Sequence, residues 1–246
     1  KEVRKLLENF NKEEEIYFWY KLKKISQIIN NEEDSNKSLL FIESAFKDYS
    51  NPSIKIINDM ANIYKRNKKF EKSIKYYSFL LTKLNNKSEA YADILYKRGS
   101  SYERLGDHKS SDNDLLKSLS IKPDDPYVLN YLGYGWLERD YKIKDAIAML
   151  DKAYNQKKND PFIIDSVGWG YYLIGDYVNA ENFLRKAIQL MPKDPIVNDH
   201  YGDVLWKLNR KIQAKYYWKS ALNSEVSEIE MKKKISKKLL LGLDGS

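Results

Sequence analysis

The side chains with the clearest capacity for chemistry surround one of the two histidines of the chain. His200 stands between Asp199 and Asp203 in the order Asp-His-x-x-Asp, a grouping that could hold a metal ion or let the imidazole act as a base. A protein zinc site needs a further His or a Cys at ligand spacing, and the chain has no Cys and only His108 besides. The sequence contains neither a nucleophile elbow nor a glycine-rich phosphate loop. We therefore expect no catalytic residue, no metal and no cofactor.

Charge does not single out a nucleic-acid surface. The 246 residues carry 43 Lys and Arg against 35 Asp and Glu, a net charge of +8. The surplus is spread along the chain, and 36 of the 43 basic residues are lysines, whereas arginine makes most of the bidentate contacts that read bases. A nucleic-acid-binding helical repeat remains the alternative, acting through Lys55, Lys65, Arg66 and Lys97. No run approaches the roughly 18 apolar residues that a membrane-spanning helix needs.

A repeat of about 34 residues organises the second half of the chain. Three segments open on a proline, carry a glycine seven residues later, and then carry an alanine. The series are Pro126, Pro161 and Pro195; Gly133, Gly168 and Gly202; and Ala146, Ala180 and Ala214. Proline suits the first turn of a helix, and small residues suit places where two helices approach closely. Such a period, built from two helical patterns, predicts a helical solenoid.

These segments resemble the tetratricopeptide repeat, whose pattern is W-x2-L-G-x2-Y, then G-x-Y, then A-x3-F-x2-A, then P. The segment 161–194 matches best, through Gly168, Tyr171, Gly175, Ala180 and Ala187. Weaker matches extend upstream and give six repeats, at 19–53, 54–91, 92–125, 126–160, 161–194 and 195–222. The resemblance implies an all-α fold, a right-handed helical-repeat solenoid of about six helix pairs.

Both ends of the array carry further expectations. Residues 1–18 are expected to hold the trailing helix of a truncated upstream repeat. Residues 223–246 are expected to form a C-terminal capping helix and tail, with Ile229, Ile235 and Leu239 against the stack and the lysines in water.

The last three segments are also similar to the C-terminal repeats of bacterial tetratricopeptide proteins of the cell envelope. The stretches that carry this likeness are YVLNYLGYGWLERD, IIDSVGWGYYLIGDY and VNDHYGDVLWKLNR. Distant relatives of that family are lipoprotein adaptors of carboxy-terminal processing proteases. The resemblance implies a periplasmic or envelope location, with the cytoplasm as the alternative, and a non-enzymatic adaptor for an envelope protease or assembly.

In tetratricopeptide proteins the first helix of each repeat lines a concave groove that binds a protein or peptide. By this resemblance the N-terminal part of the groove is polar and basic, and the C-terminal part is aromatic with acidic groups. Tyrosine and tryptophan carry much of the binding energy of protein interfaces, and an Asn amide can hold a peptide backbone. The predicted peptide-binding residues are Tyr127, Asn130, Tyr134, Trp169, Tyr172, Asp199, Asp203 and Trp206. Packing between neighbouring repeats is the alternative role for Tyr131 and Trp169 and, to a lesser degree, for Tyr134 and Trp206. The acidic groups favour a partner segment that carries Lys or Arg.

Overall fold

The computed structural model describes residues 12–32, 34–224 and 229–243. Within those ranges it contains thirteen α-helices and no strand, which confirms the predicted all-α fold. Contacts divide the chain into two compact units, Lys1–Pro123 and Asp124–Ser246, called unit 1 and unit 2.

The helices follow one another along both units. Unit 1 contains α1 (Lys12–Glu32), α2 (Ser35–Lys47), α3 (Ile54–Arg66), α4 (Phe70–Lys83), α5 (Glu89–Arg104) and α6 (His108–Ile121). Unit 2 contains α7 (Pro126–Glu138), α8 (Ile143–Gln156), α9 (Pro161–Leu173), α10 (Tyr177–Leu190), α11 (Pro195–Lys207), α12 (Lys211–Leu222) and α13 (Ile229–Leu241). Helices α1 to α12 pack as consecutive pairs, α1 with α2 and so on to α11 with α12. The assignment of a tetratricopeptide repeat to every pair stays a prediction.

The first helix begins earlier than the repeat pattern predicts. Helix α1 starts at Lys12 and not at residue 19, so its first turns occupy part of the range 1–18 that we assigned to an upstream repeat. The rest of that range, residues 1–11, lies outside the described residues. Trp19, Leu22 and Ser26 lie on one face of α1 and are buried in unit 1.

Three helices of unit 2 begin in the same way because their sequences begin in the same way. Asp125, Asp160 and Asp194 each cap a helix whose first residue is proline, and each accepts hydrogen bonds from two backbone N–H groups at 2.9–3.3 Å. The carboxylate satisfies donors that would otherwise lack partners, and proline lacks an N–H at a position where none is needed. The repeated Asp-Pro pairs therefore fix the starts of α7, α9 and α11.

Small residues at repeat spacing let the helices of unit 2 approach closely. Ala146, Ala180 and Ala214 are fully buried. The larger side chains of Leu184 and Trp218, each four residues after the alanine of its helix, are fully buried as well. Between α9 and α10 the rings of Tyr171 and Phe183 stack with their centroids 5.5 Å apart. The turn before α10 needs a left-handed residue, which Gly175 supplies with φ +83°.

The last helix, α13, packs on α12 and contributes to the core of unit 2. Ile235 is fully buried, and Met231 and Leu239 pack against the same core. Ile229 is 74% exposed, so the expectation that it faces the stack is wrong. It is the first residue of the helix, where the chain has not yet reached the core surface.

Candidate peptide-binding surface

The predicted binding residues of unit 2 lie on three helices that contact one another. Helix α9 contacts both α7 and α11. On each helix the residues recur at intervals of three, four or seven, which places them on one face. We call this the first-helix surface, and it consists of Tyr127, Asn130 and Tyr134 on α7; Phe162, Trp169 and Tyr172 on α9; and Ile196 and Asp199 on α11.

Helix α7 presents one exposed ring and one unsatisfied amide. Tyr127 is 47% exposed at the first turn of the helix. One turn further on, the Oδ1 atom of Asn130 is buried and accepts no hydrogen bond from the described residues. Tyr134 is more deeply placed, and burial, together with the charges of Glu138 and Asp165, raises the pKa of its phenol far above the usual value. Tyr134 therefore carries a neutral hydroxyl at any physiological pH.

Helix α9 contributes a stack of rings that reaches into α11. The indole of Trp169 is stacked on Tyr172 at 4.6 Å between centroids and on the imidazole of His200 at 4.0 Å. The indole Nε1–H donates a hydrogen bond to the carboxylate of Glu138 on α7. Trp169 remains partly exposed, so it both joins neighbouring first helices and contributes to the surface.

His200 is buried and paired with an acid. Its Nδ1 atom lies 3.1 Å from both carboxylate oxygens of Asp165. Burial alone would lower the pKa of the imidazole, but Asp165, Asp199 and Asp203 together raise it above the ordinary value. His200 thus carries positive charge in the folded protein more readily than in the unfolded chain.

Asp199 and Asp203 are tied to the last helix. The ammonium group of Lys238 on α13 lies 2.8 Å from a carboxylate oxygen of each. Asp203 also accepts a hydrogen bond from Nε1 of Trp218 at 2.8 Å. Burial raises the pKa of Asp203 to about 6, although Lys238 acts against it, and the pair of carboxylates raises the pKa of Lys238. One ammonium group is therefore shared by two acids.

These contacts bury one of the eight predicted surface positions and partly cover another. Asp203 is 4% exposed and lies in the core between α11, α12 and α13. The ring of Trp206 packs against Trp218 at 5.2 Å, and the backbone at Gly242 lies directly against its outer edge. The physical reason is the position of α13, which covers the part of α11 that would otherwise be open. We therefore leave both residues out of the first-helix surface.

Two exposed apolar residues extend the surface beyond the predicted set. Phe162 is 63% exposed and Ile196 is 50% exposed. Each follows a helix-opening proline, as Tyr127 does, so the three occupy equivalent positions in successive segments. In the sequence, only the shared position after the proline could have pointed to Phe162 and Ile196, because an isolated Phe or Ile does not mark a binding site. The Trp169–His200 stack and the role of Lys238 had no such signal.

No metal centre is formed by the residues that the structure describes. Across 12–32, 34–224 and 229–243, no group of three or more His, Asp or Glu side chains is arranged to hold an ion. In the same ranges, every helix is too short or too polar to span a lipid bilayer.

Comparison with known sequences identifies one segment directly. The family model of the tetratricopeptide repeat matches residues 92–125, the range that we predicted for the third repeat. The TPR repeat-containing protein PA4667 of Pseudomonas aeruginosa is 32% identical over 111 residues, which cover 45% of this chain. The chain spans only 19% of the length of that relative.

Comparison with solved structures supports the same fold. TTC0263, a thermophilic TPR protein of Thermus thermophilus, superimposes with a TM-score of 0.65 at 16% identity, covering 77% of this chain and all of the other. PilW, a widely conserved type IV pilus biogenesis factor, gives a TM-score of 0.63 at 20% identity, covering 80% of this chain and 90% of the other. At these identities the likeness concerns the fold alone. The chain thus contains a tetratricopeptide repeat at 92–125 and has the all-α helical fold of solved tetratricopeptide proteins.

Proposed function

We propose that the chain is a non-enzymatic scaffold whose first-helix surface in unit 2 binds a peptide segment of a partner protein. Tetratricopeptide proteins are typically protein-interaction scaffolds, and the chain has that fold. The finer proposal concerns where and what this chain binds. Following the resemblance to envelope proteins, we place the scaffold in the bacterial cell envelope, serving a protease or an assembly.

The observation that carries the proposal is the unsatisfied Oδ1 of Asn130. A buried acceptor without a partner costs roughly 1–3 kcal/mol, so such atoms are rare unless a partner arrives from outside. This acceptor lies one turn from the exposed ring of Tyr127 and one turn from Tyr134 on the same face of α7. A backbone N–H of a bound peptide would satisfy it, and the amide nitrogen of Asn130 would donate in return.

The apolar part of the surface has the character of an anchor site. Tyr127, Phe162 and Ile196 are about half exposed or more at equivalent positions of three successive segments. A row of apolar side chains at repeat spacing is suited to an extended peptide, whose own side chains would alternate between the row and solvent. Aromatic residues at this kind of position carry much of the binding energy of protein interfaces.

Charge favours a basic partner. Glu138 forms no ion pair with any described residue and accepts only the indole N–H of Trp169. Lys238 is shared by Asp199 and Asp203, and His200 is paired with Asp165, so three acids face two cations at this end. A partner segment with Lys or Arg would be attracted, and an acidic segment would be repelled.

Peptide selection against the full chain tests the proposal. Peptides selected from a random displayed library are measured by isothermal titration against wild type, against the Tyr127→Ala/Asn130→Ala variant, and against the Tyr216→Ala control. Tyr216 is a ring on α12, outside the surface, and at 69% it is more exposed than Tyr127 at 47%. We expect basic peptides that bind wild type and control alike and bind the double variant at least tenfold more weakly. Equal binding to all three chains contradicts the proposal.

A further inference from the structure

Charge is spread along the chain as a whole, but one stretch of unit 2 carries positive charge only. Between Asp203 and Glu225 the sequence holds five basic residues and no acid: Lys207, Arg210, Lys211, Lys215 and Lys219. The last three lie on α12 at intervals of four residues, which places them along one face of the helix. All three of these lysines are exposed.

Two apolar side chains project between these lysines. Ile212 and Tyr216 are also four residues apart on α12, so they run beside the row of lysines. Ile212 is 88% exposed, the largest exposed fraction of any large apolar side chain in the described residues, and Tyr216 is 69% exposed. We call this basic and apolar side of the helix the outer face of α12, and it consists of Lys211, Ile212, Lys215, Tyr216 and Lys219.

The core of unit 2 fixes which side of α12 faces water. Ala214, Trp218 and Ala221 are fully buried on the other side of the helix. The indole Nε1–H of Trp218 donates a hydrogen bond to Asp203 on α11, which holds the helix in this rotation. The outer face therefore cannot turn inward unless this buried indole is exposed.

The second helix of the preceding pair, α10, adds no compensating charge. Its single acid is Glu181, beside the basic residues Arg185 and Lys186. The carboxylate of Glu181 is already paired with Arg210 at the start of α12, and Arg185 lies 3.6 Å from it. The positive charge of α12 is therefore left for an anion from outside the chain.

We propose that the outer face of α12 docks on an anionic lipid surface. The three lysines contact the phosphates of the headgroups, while Ile212 and Tyr216 enter the layer between the headgroups and the acyl chains. This inference goes beyond the proposed peptide binding and does not depend on it. The first-helix surface belongs to α7, α9 and α11, so the two kinds of binding can be measured separately.

A lipid surface suits the outer face better than a nucleic acid or an acidic peptide does. Helices that lie in the plane of a membrane interface combine lysines with apolar side chains in this way, and tyrosine is enriched at that depth. A nucleic-acid backbone would meet the lysines but would leave Ile212 in water. A peptide buries its anchors in a concave site, whereas Ile212 stands out from the surface. A soluble polyanion is therefore the competing outcome of the test.

Co-sedimentation of the full chain with lipid vesicles provides the test. The vesicles are phosphatidylcholine alone, or phosphatidylcholine and phosphatidylglycerol in equal parts, and we expect binding at least tenfold tighter to the mixed vesicles. The variants Lys215→Gln/Lys219→Gln and Ile212→Ser/Tyr216→Ser should each weaken that binding at least tenfold. The control Lys75→Gln/Lys83→Gln removes the same charge from exposed lysines of α4 in unit 1 and should change it less than twofold.

A fluorescent label tells insertion into lipid from charge attraction alone. The chain has no Cys, so Ile212→Cys takes a single environment-sensitive fluorophore, and Tyr127→Cys on the first-helix surface takes the same one. We expect the emission to shift to shorter wavelength at position 212 with mixed vesicles, and to stay unchanged at position 127.

Three results would overturn the proposal. They are equal binding to both kinds of vesicle, an unshifted emission at position 212 on saturation with mixed vesicles, and a single-stranded oligonucleotide that binds through Lys215 and Lys219 more tightly than the mixed vesicles do. Peptide titration without vesicles should give the same affinity for wild type and for Lys215→Gln/Lys219→Gln, so a failure of this proposal is distinguishable from a failure of the proposed function.

Discussion

Replacing Gly202 by alanine is expected to destabilise unit 2 strongly, because the new methyl group has no room. A Cβ atom at this position would lie 2.5 Å from both Cδ1 and Nε1 of Trp218, and 3.2 Å from the carbonyl oxygen of Ala214. Trp218 is fully buried and its Nε1–H donates to Asp203, so the indole cannot move without breaking that bond. The substitution therefore combines overpacking with the loss of a buried hydrogen bond.

The expected magnitude follows from three contributions. Overpacking a filled core costs about 1–3 kcal/mol, and a hydrogen bond to a charged group contributes about 1.5–3 kcal/mol. Alanine stabilises the helix by about 1 kcal/mol relative to glycine, because its helix propensity is higher. The free energy of unfolding should fall by about 2–5 kcal/mol, which corresponds to a melting temperature roughly 5–15 °C lower in a chain of this length.

The chain contains its own control for this prediction. Gly99 occupies the equivalent repeat position, but a Cβ there meets the side chains of Leu115 and Asp114 at 3.1–3.3 Å, which need to yield only slightly. Gly99→Ala should stay within about 1 kcal/mol of wild type, since overpacking and helix propensity nearly cancel. Urea unfolding followed by circular dichroism measures both variants.

A double-mutant cycle tests whether the contact with the indole of Trp218 causes the loss of stability. If the clash is with the indole, Gly202→Ala should cost much less in a Trp218→Leu background than in wild type. The reasoning is refuted if Gly202→Ala proves as stable as Gly99→Ala, or if its cost is the same in both backgrounds.

Three further predictions concern buried charges. Lys238→Met leaves Asp203 buried without its cation and should lower the free energy of unfolding by about 3–5 kcal/mol, measured by urea titration; an unchanged midpoint contradicts this. The pKa of His200 is raised in the folded state by its pairing with Asp165. The stabilising contribution of this pair is therefore full below about pH 6.5 and is lost as pH rises through the pKa of the folded state. The free energy of unfolding, measured at pH 6 and pH 9, should show this loss in wild type and not in His200→Gln. Burial lowers the pKa of Lys65 to about 8, so Lys65→Met should stabilise the fold more at pH 7 than at pH 10, and a variant that is less stable at pH 7 refutes it.

Repeat-spaced residues made much of unit 2 predictable. The Asp-Pro pairs, the close-packing glycines and the small alanines each answer a local requirement of the backbone or of helix contact, so their spacing predicts the helices that begin at Pro126, Pro161 and Pro195. The start of α1 was not predictable in this way, because the first segment carries neither a proline nor a glycine at the repeat positions.

The candidate site was predictable only in part, because burial there depends on a helix distant in sequence. Five lysines lie in 232–238, and nothing in their spacing tells that Lys238 turns inward to Asp199 and Asp203 while others stay in water. Without that contact, Asp203 has the sequence pattern of an exposed groove residue. The pairing of His200 with Asp165 likewise needs two helices brought together, and spacing alone does not distinguish it from an open acid–histidine cluster.

The central claim is that a protein partner occupies the first-helix surface of unit 2, and site-specific photocrosslinking in the cell tests it most directly. A benzophenone side chain is placed at Tyr127, at one end of the exposed row, and separately at Tyr216, which is 69% exposed on α12. The account predicts a discrete crosslinked protein product from position 127 that disappears in the Asn130→Ala background, and no such product from position 216. Products of equal yield at both positions, or none at 127 from a folded chain, would contradict it.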